Sequence, residues 1–149
     1  FAIRELLEGR DSVIKRGARV KGNVVIEQSI VEDDAEIEDF TVIKRSYIGR
    51  GVYVGNFALI RDYSSVEESA AIGAYAEVAH SLVGRRARVN SKAYLSYSVI
   101  GDGAEIGANV VTTSYPGRPV RGYESKIGAL ISPGVKVDHG KVLPPGYKA

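Results

Sequence analysis

A chain of 149 residues with a net charge of +2, 44% hydrophobic and 26% charged, has the composition of one soluble globular domain. So small a positive charge gives no argument for a nucleic-acid partner. The absence of cysteine excludes a disulfide framework and thiolate chemistry, and no apolar run approaches the roughly 20 residues of a membrane helix. No signal peptide is visible, so a cytoplasmic location is the default expectation.

The chain opens on Phe1 and contains no methionine. That is the expected look of a fragment of a longer protein, or of a chain that has lost its first residue. In the opening FAIRELLEG, Ile3, Leu6 and Leu7 share one helical face and Gly9 is a stop signal. The pattern predicts a short amphipathic helix or linker over residues 1–10, joined to a β domain over residues 11–149.

From Ile14 the chain repeats. Aliphatic residues recur every six positions, with occasional steps of five, and a small or β-branched residue follows most of them after four more positions. The unit is aliphatic–x–x–x–small–x, and three units make one coil of 17 or 18 residues. Three columns result. The first holds Ile14, Val31, Ile48, Val66, Val83 and Ile100. The second holds Val20, Ile37, Val54, Ile72, Val89 and Ile106. The third holds Ile26, Ile43, Ile60, Val78, Leu95 and Thr112. Every five-residue step falls in the third column, which supports this register.

The columns predict an all-β fold, a three-sided parallel β-helix. Each unit supplies a short strand and a corner, with the large aliphatic pointing inward. Coils then stack at about the 4.8 Å spacing of paired strands. One coil cannot bury its own interior face, whereas a stack can. A sandwich would instead show period two and turn signals every 8–12 residues. Residues 113–126, TSYPGRPVRGYESK, break the repeat and predict one excursion loop. The repeat is expected to resume at Ile127, Ile131, Val137 and Leu143.

The hexapeptide pattern resembles the family of left-handed β-helix acyltransferases and related sugar-nucleotide enzymes, and the left-handed winding is carried by that resemblance. Two segments, IGRGVYVGNFALIRDYSSV and AYLSYSVIGDGAEIGANVVTTSY, are similar to a narrower group. It comprises the C-terminal acetyltransferase domain of the bifunctional enzymes that acetylate glucosamine-1-phosphate and then uridylylate it, and archaeal sugar-1-phosphate nucleotidylyltransferases that carry such a domain. The resemblance covers roughly residues 13–149. It implies an acetyl-CoA-dependent acyltransferase-like domain acting on an amino-sugar phosphate, assembled as a homotrimer with no nucleic acid or membrane partner. The alternative it implies is a non-catalytic trimerisation or regulatory domain of a nucleotidylyltransferase.

In that family a histidine, a leucine, a small hydroxyl residue and a tyrosine run together, and the histidine is the general base. Here the run is Tyr94, Leu95, Ser96 and Tyr97. Tyr97 matches the family tyrosine that helps hold the sugar phosphate, and Arg61 matches a substrate-binding arginine. Tyr94 stands at the base position, where a phenol, with an ordinary pKa of about 10, is a poor proton acceptor at neutral pH. A family lysine falls on Ala79, and the family's Asn–Tyr–Asp–Gly loop start reads Ser114, Tyr115, Pro116 and Gly117 here. The base is therefore altered.

Stacking nominates a replacement. Residues at one offset in neighbouring coils are neighbours in space, which brings Glu77, His80, Tyr94 and Tyr97 together on one face. His80 is then a candidate base, oriented by Glu77 or a tyrosine. The same quartet also reads as a polar surface patch or a hydrogen-bonded trimer contact. Arg118, Arg121 and Lys126 in the loop, with Ser114 at its start, read as a phosphate clamp or as a solvated face. Arg85, Arg86 and Arg88 carry the same two readings. His139 lies at a corner and reads as exposed and structural. A zinc hydratase of this fold needs three histidines, and the chain has two, so no metal is expected.

Overall fold

A computed structural model describes residues 11–115 and 126–149. Among these lie 21 strands of two or three residues each. They form three seven-stranded sheets, and each strand pairs with the strands three before and three after it in sequence. The pairing is parallel throughout the described residues. The first wall runs from Val13–Ile14 to Leu130–Ile131, the second from Arg19–Val20 to Lys136–Val137, and the third from Val25–Glu27 to Val142–Leu143. The chain is a three-walled β-solenoid, as the repeat requires.

The register is the one the columns predict. Val66 pairs with Ile48 below and Val83 above, and Val83 pairs with Ile100. Ile72 pairs with Val54 and Val89, and Val78 with Ile60 and Leu95. These side chains fill a single interior, with Ile48, Ile60, Ile72, Val83 and Leu95 fully buried. The small residues Ala58, Ala70, Ala76, Ala87 and Ala93 complete it near the corners. Coils approach so closely that a Cβ added at Gly73 would lie 2.5 Å from the backbone nitrogen of Ser91.

After the excursion the repeat resumes at Ile131, Val137 and Leu143, which pair with Ile100, Ile106 and Thr112. Ile127 does not rejoin it. That side chain is 44% exposed, because Ala129 and Ile131 take the interior positions as the chain re-enters the first wall. The helix expected over residues 1–10 and most of the loop, residues 116–125, lie outside the described residues. Among the described residues no helix is long and apolar enough to cross a membrane.

Corners demand left-handed backbone, and most are not glycine. Phe40, Phe57 and Tyr75 take positive φ at the corner between the second and third walls. Their rings stack in sequence at centroid distances of 5.0 and 4.9 Å. Gln28, Arg45, Asp62, His80 and Tyr97 do the same at the corner between the third and first walls, with φ from 47° to 52°. Behind that corner runs a buried serine ladder. The Ser46 N–H donates to Ser29 Oγ at 3.1 Å, Ser81 N–H to Ser64 Oγ at 3.2 Å, and Ser98 N–H to Ser81 Oγ at 3.1 Å. Each step satisfies a main-chain donor that the tight corner would otherwise leave unpaired.

The three outer faces differ. The second wall carries Arg19 paired with Glu36, and Arg88 beside Glu105. The first wall turns Val13, Ile30, Tyr47, Leu82, Val99 and Leu130 outward, and the third turns Val25, Val42 and Leu59 outward at its lower end.

Ile72→Ala empties space at a fully buried position and is expected to cost about 2–5 kcal/mol, read by urea unfolding. Ile127→Ala is expected to change stability by less than about 0.5 kcal/mol. Equal losses at the two positions would contradict the interior assigned here.

Candidate functional site

The corner between the third and first walls gathers the chemistry. The residue two places after each third-column aliphatic occupies it: Gln28, Arg45, Asp62, His80, Tyr97 and Ser114. The first five share nearly one backbone conformation, so side chains on successive coils point the same way and lie one strand spacing apart. A ladder of functional groups follows. His80 and Tyr97 stack with ring centroids 4.4 Å apart and planes 14° from parallel. Below His80 lies Asp62, whose Oδ2 is 3.8 Å from His80 Nε2. Below Asp62 is Arg45, which donates to Asp62 Oδ1. Above the ladder, the Lys126 ammonium sits 5.5 Å from the centre of the Tyr97 ring.

The outer face of the third wall borders this ladder. Arg61 donates through Nε to Glu77 Oε1 at 2.9 Å, and its Nη2 lies 2.8 Å from the same oxygen. Its Nη1 donates to Asp62 Oδ2. Arg61 therefore joins the wall to the corner. Tyr94 stands one coil above Glu77 in direct register. Ser96 and Ser114 share a hydrogen bond of 3.0 Å between their hydroxyls. On the other side of the corner, His80, Ser81, Leu82, Tyr97, Ser98, Val99 and Lys126 line an open, largely apolar groove of ≈ 250 Å³.

The four residues nominated from sequence thus lie on adjacent coils but divide into two pairs. His80 and Tyr97 meet at the corner, while Glu77 and Tyr94 lie side by side on the wall. Glu77 is engaged by Arg61, and the carboxylate facing His80 is Asp62. Lys126 joins the corner, and Ser114 is tied to Ser96. Arg118 and Arg121 lie outside the described residues. Arg85 is remote from this cluster and pairs with Asp102 at 3.0 Å on an exposed corner. The backbone N–H and the guanidinium of Arg85 hold the Asp102 carboxyl below the usual range. His139 is exposed, and its Nδ1 accepts the Ala108 N–H at 2.6 Å.

Asp62 and Arg45 escaped the sequence reading, although the offset that placed His80 beside Tyr97 also places them. Burial opposes the charge on Asp62, but hydrogen bonds from Arg45 and Arg61 outweigh it and hold the carboxyl below its ordinary value. His80 is also held below the ordinary histidine value. Burial is the main cause, the cations Arg61, Lys126 and Arg45 add to it, and Asp62 opposes it. His80 is therefore a neutral imidazole at pH 7, one-third exposed at the mouth of a groove. Its lone pair is available to a proton at neutral pH, although burial and the nearby cations make the resulting charge less favourable.

Bifunctional protein GlmU of Clostridium novyi (strain NT) is 33% identical to this chain over 144 residues, covering 92% of the chain and 27% of that protein. GlmU of Aquifex aeolicus (strain VF5) is 38% identical over 72 residues, 48% of the chain and 15% of the relative. The chain therefore spans between 15% and 27% of the length of these two relatives. Among solved structures, UDP-N-acetylglucosamine acyltransferase from Campylobacter jejuni overlays with a TM-score of 0.42 at 18% identity, over 90% of this chain and 63% of that one. No protein-family model matches. The six-residue period, the three-walled solenoid it builds and the kinship with GlmU agree: the chain is a hexapeptide-repeat protein, related in sequence to part of bifunctional GlmU.

Proposed function

We propose that this chain is an acyltransferase-like domain of cytoplasmic sugar-nucleotide metabolism, which moves an acetyl group from acetyl-CoA to the amine of an amino-sugar phosphate. The observation that carries this reading is the neutral His80 imidazole, stacked on Tyr97 at the mouth of the groove and bordered by Arg61 and Lys126. In the step proposed, the amine nitrogen attacks the thioester carbonyl carbon and His80 takes the proton that the amine loses. The carbon–sulfur bond then breaks, and the departing thiolate receives a proton from the imidazolium. Arg61 and Lys126 hold the sugar phosphate by charge. Arg118 and Arg121 supply further cations for phosphate. Tyr94 and Glu77 present hydroxyl and carboxylate to the sugar from the third wall, and Ser114 with Ser96 borders them.

The chain works as a homotrimer on this reading. Its outer faces support it: the first wall carries an apolar stripe, the third carries one at its lower end, and the second wall is charged. Burying apolar outer faces between copies removes them from water at roughly 25 cal/mol per Å². The same asymmetry favours the second reading, a trimerisation or regulatory domain of a sugar-phosphate nucleotidylyltransferase. There the groove would bind its ligand without turnover.

Calorimetry separates the two. The first reading expects heat of binding from acetyl-CoA, with and without glucosamine-1-phosphate, and acetyl transfer that His80→Ala lowers by about 10²–10⁴-fold. No binding of either ligand would end the catalytic reading.

A second measurement follows the imidazole itself by NMR. The His80 midpoint is expected below the ordinary value of about 6.5. A histidine with a depressed folded value binds fewer protons folded than unfolded. The stability that goes with neutral His80 is thus complete above about pH 6.5 and lost as pH falls through the depressed folded value. Unfolding midpoints of wild type and His80→Ala should converge accordingly in acid; a wild-type midpoint at or above 6.5 contradicts the assignment.

Sedimentation equilibrium tests assembly. The wild type is expected at three times the chain mass and Ile30→Glu, on the outward apolar stripe, at one. A monomeric wild type rejects the trimer.

A further inference from the structure

The corner beneath His80 contains a residue that its neighbours lack. Regular corners read Gln28-Ser29, Arg45-Ser46, His80-Ser81 and Tyr97-Ser98, but this one reads Asp62-Tyr63-Ser64. The coil from Ile48 to Val66 is accordingly one residue longer than those on either side. Both Asp62 and Tyr63 take positive φ, 52° and 62°. The insertion changes the serine ladder. Ser46 and Ser81 donate to the carbonyl two residues back, at 2.9 and 2.8 Å, whereas Ser64 donates to Arg61, three back, at 2.9 Å. The Tyr63 N–H donates to Arg45 O at 2.7 Å and anchors the enlarged corner to the coil below.

Within that corner Asp62 is more sheltered than the groups on either side of it, 18% exposed against 34% for His80 and 42% for Arg45. Both of its oxygens are held: Oδ1 by Arg45, and Oδ2 by Arg61. The oxygen held by Arg61 is also the one 3.8 Å from His80 Nε2. Glu77 takes no part, because its Oε1 receives Arg61 from the wall side. The charged groups around the imidazole are thus Asp62, Arg61 and Arg45 from the coils below, and Lys126 across the Tyr97 ring.

We propose that Asp62 is the positioning residue of His80: fixed by Arg45 and Arg61, it selects the imidazole tautomer with hydrogen on Nε2 and leaves the lone pair on Nδ1 as the proton acceptor. The inference rests on the reading of His80 as the base. A separation of 3.8 Å is longer than a hydrogen bond. Hydrogen bonds of this kind commonly tighten only when substrate is bound. When His80 takes a proton, the charge forms beside an anion that is already in place and already held.

The test uses ¹⁵N chemical shifts of the imidazole and its titration. Wild type is expected to show the Nε2–H tautomer. Asp62→Asn should lower the His80 midpoint further, since the anion is lost while Arg45 and Arg61 remain, and should move the pH–rate limb with it. Asp62→Glu should restore part of the shift, and Glu77→Gln should leave the tautomer in place. A wild-type Nδ1–H tautomer overturns the proposal, and that measurement needs no variant to fold. An Asp62→Asn midpoint equal to or above the wild type overturns it as well. Full acetyl transfer by His80→Ala, by contrast, would sink the base reading while the ¹⁵N shifts still reported on the Asp62–His80 pair.

Discussion

Everything in this molecule follows from coils that lie directly over one another. A wall strand here has two or three residues, too few to stand alone, and gains its stability from the strand below, the strand above and a shared apolar interior. Register is enforced by period two: a slip of one residue would turn Ile72 or Val78 to water and bring Ala71 or Glu77 inside. Once register is fixed, every offset in the repeat becomes a column. The columns carry whatever chemistry the sequence writes into them.

The corners show what this costs and how it is offset. Fourteen non-glycine residues adopt left-handed φ among the described residues, at roughly 1 kcal/mol or more apiece. Glycine would relieve that cost but leave nothing to stack. The protein instead fills one corner with Phe40, Phe57 and Tyr75, and another with charges, an imidazole and a phenol. Stacked aromatic pairs return about 0.5–1.5 kcal/mol each, and the serine ladder satisfies the main chain behind them. A strained corner is therefore also a device for aligning side chains.

That device explains what could be read from the sequence and what could not. All three columns, the second-wall charges and the pairing of His80 with Tyr97 follow from counting. So would the aromatic ladder, since Phe40, Phe57 and Tyr75 each lie three places after an inward aliphatic. Asp62 obeys the same count, but no motif marks it, and a lone acidic residue at a corner reads as an ordinary solvated charge. The partner of Glu77 was a different matter. Counting places Cα atoms, and Arg61 reaches Glu77 through a long side chain whose direction no spacing fixes. Ile127 misled because a six-residue rhythm cannot mark where a chain re-enters a wall after an excursion. The loop cations Arg118 and Arg121 stay as sequence nominations.

On the proposed reading, free energy favours the imidazole over the phenol as base. A phenol with a pKa near 10 must give up about three units, roughly 4 kcal/mol, to be ionised at pH 7. An imidazole held below its usual value is already neutral and incurs no such cost. Tyr94 stands at the matched position on the wall, and His80, the base on the proposed reading, stands one coil lower at the corner. Two basic groups lie against the Tyr97 ring, His80 with centroids 4.4 Å apart and the Lys126 ammonium 5.5 Å from the ring centre. The Lys126 charge makes a positive charge on His80 less favourable, and Asp62 opposes this from below. An anion at Lys126 would remove one of the charges that hold His80 down. On the proposed reading, a phosphate bound at Lys126 would therefore raise the proton affinity of His80.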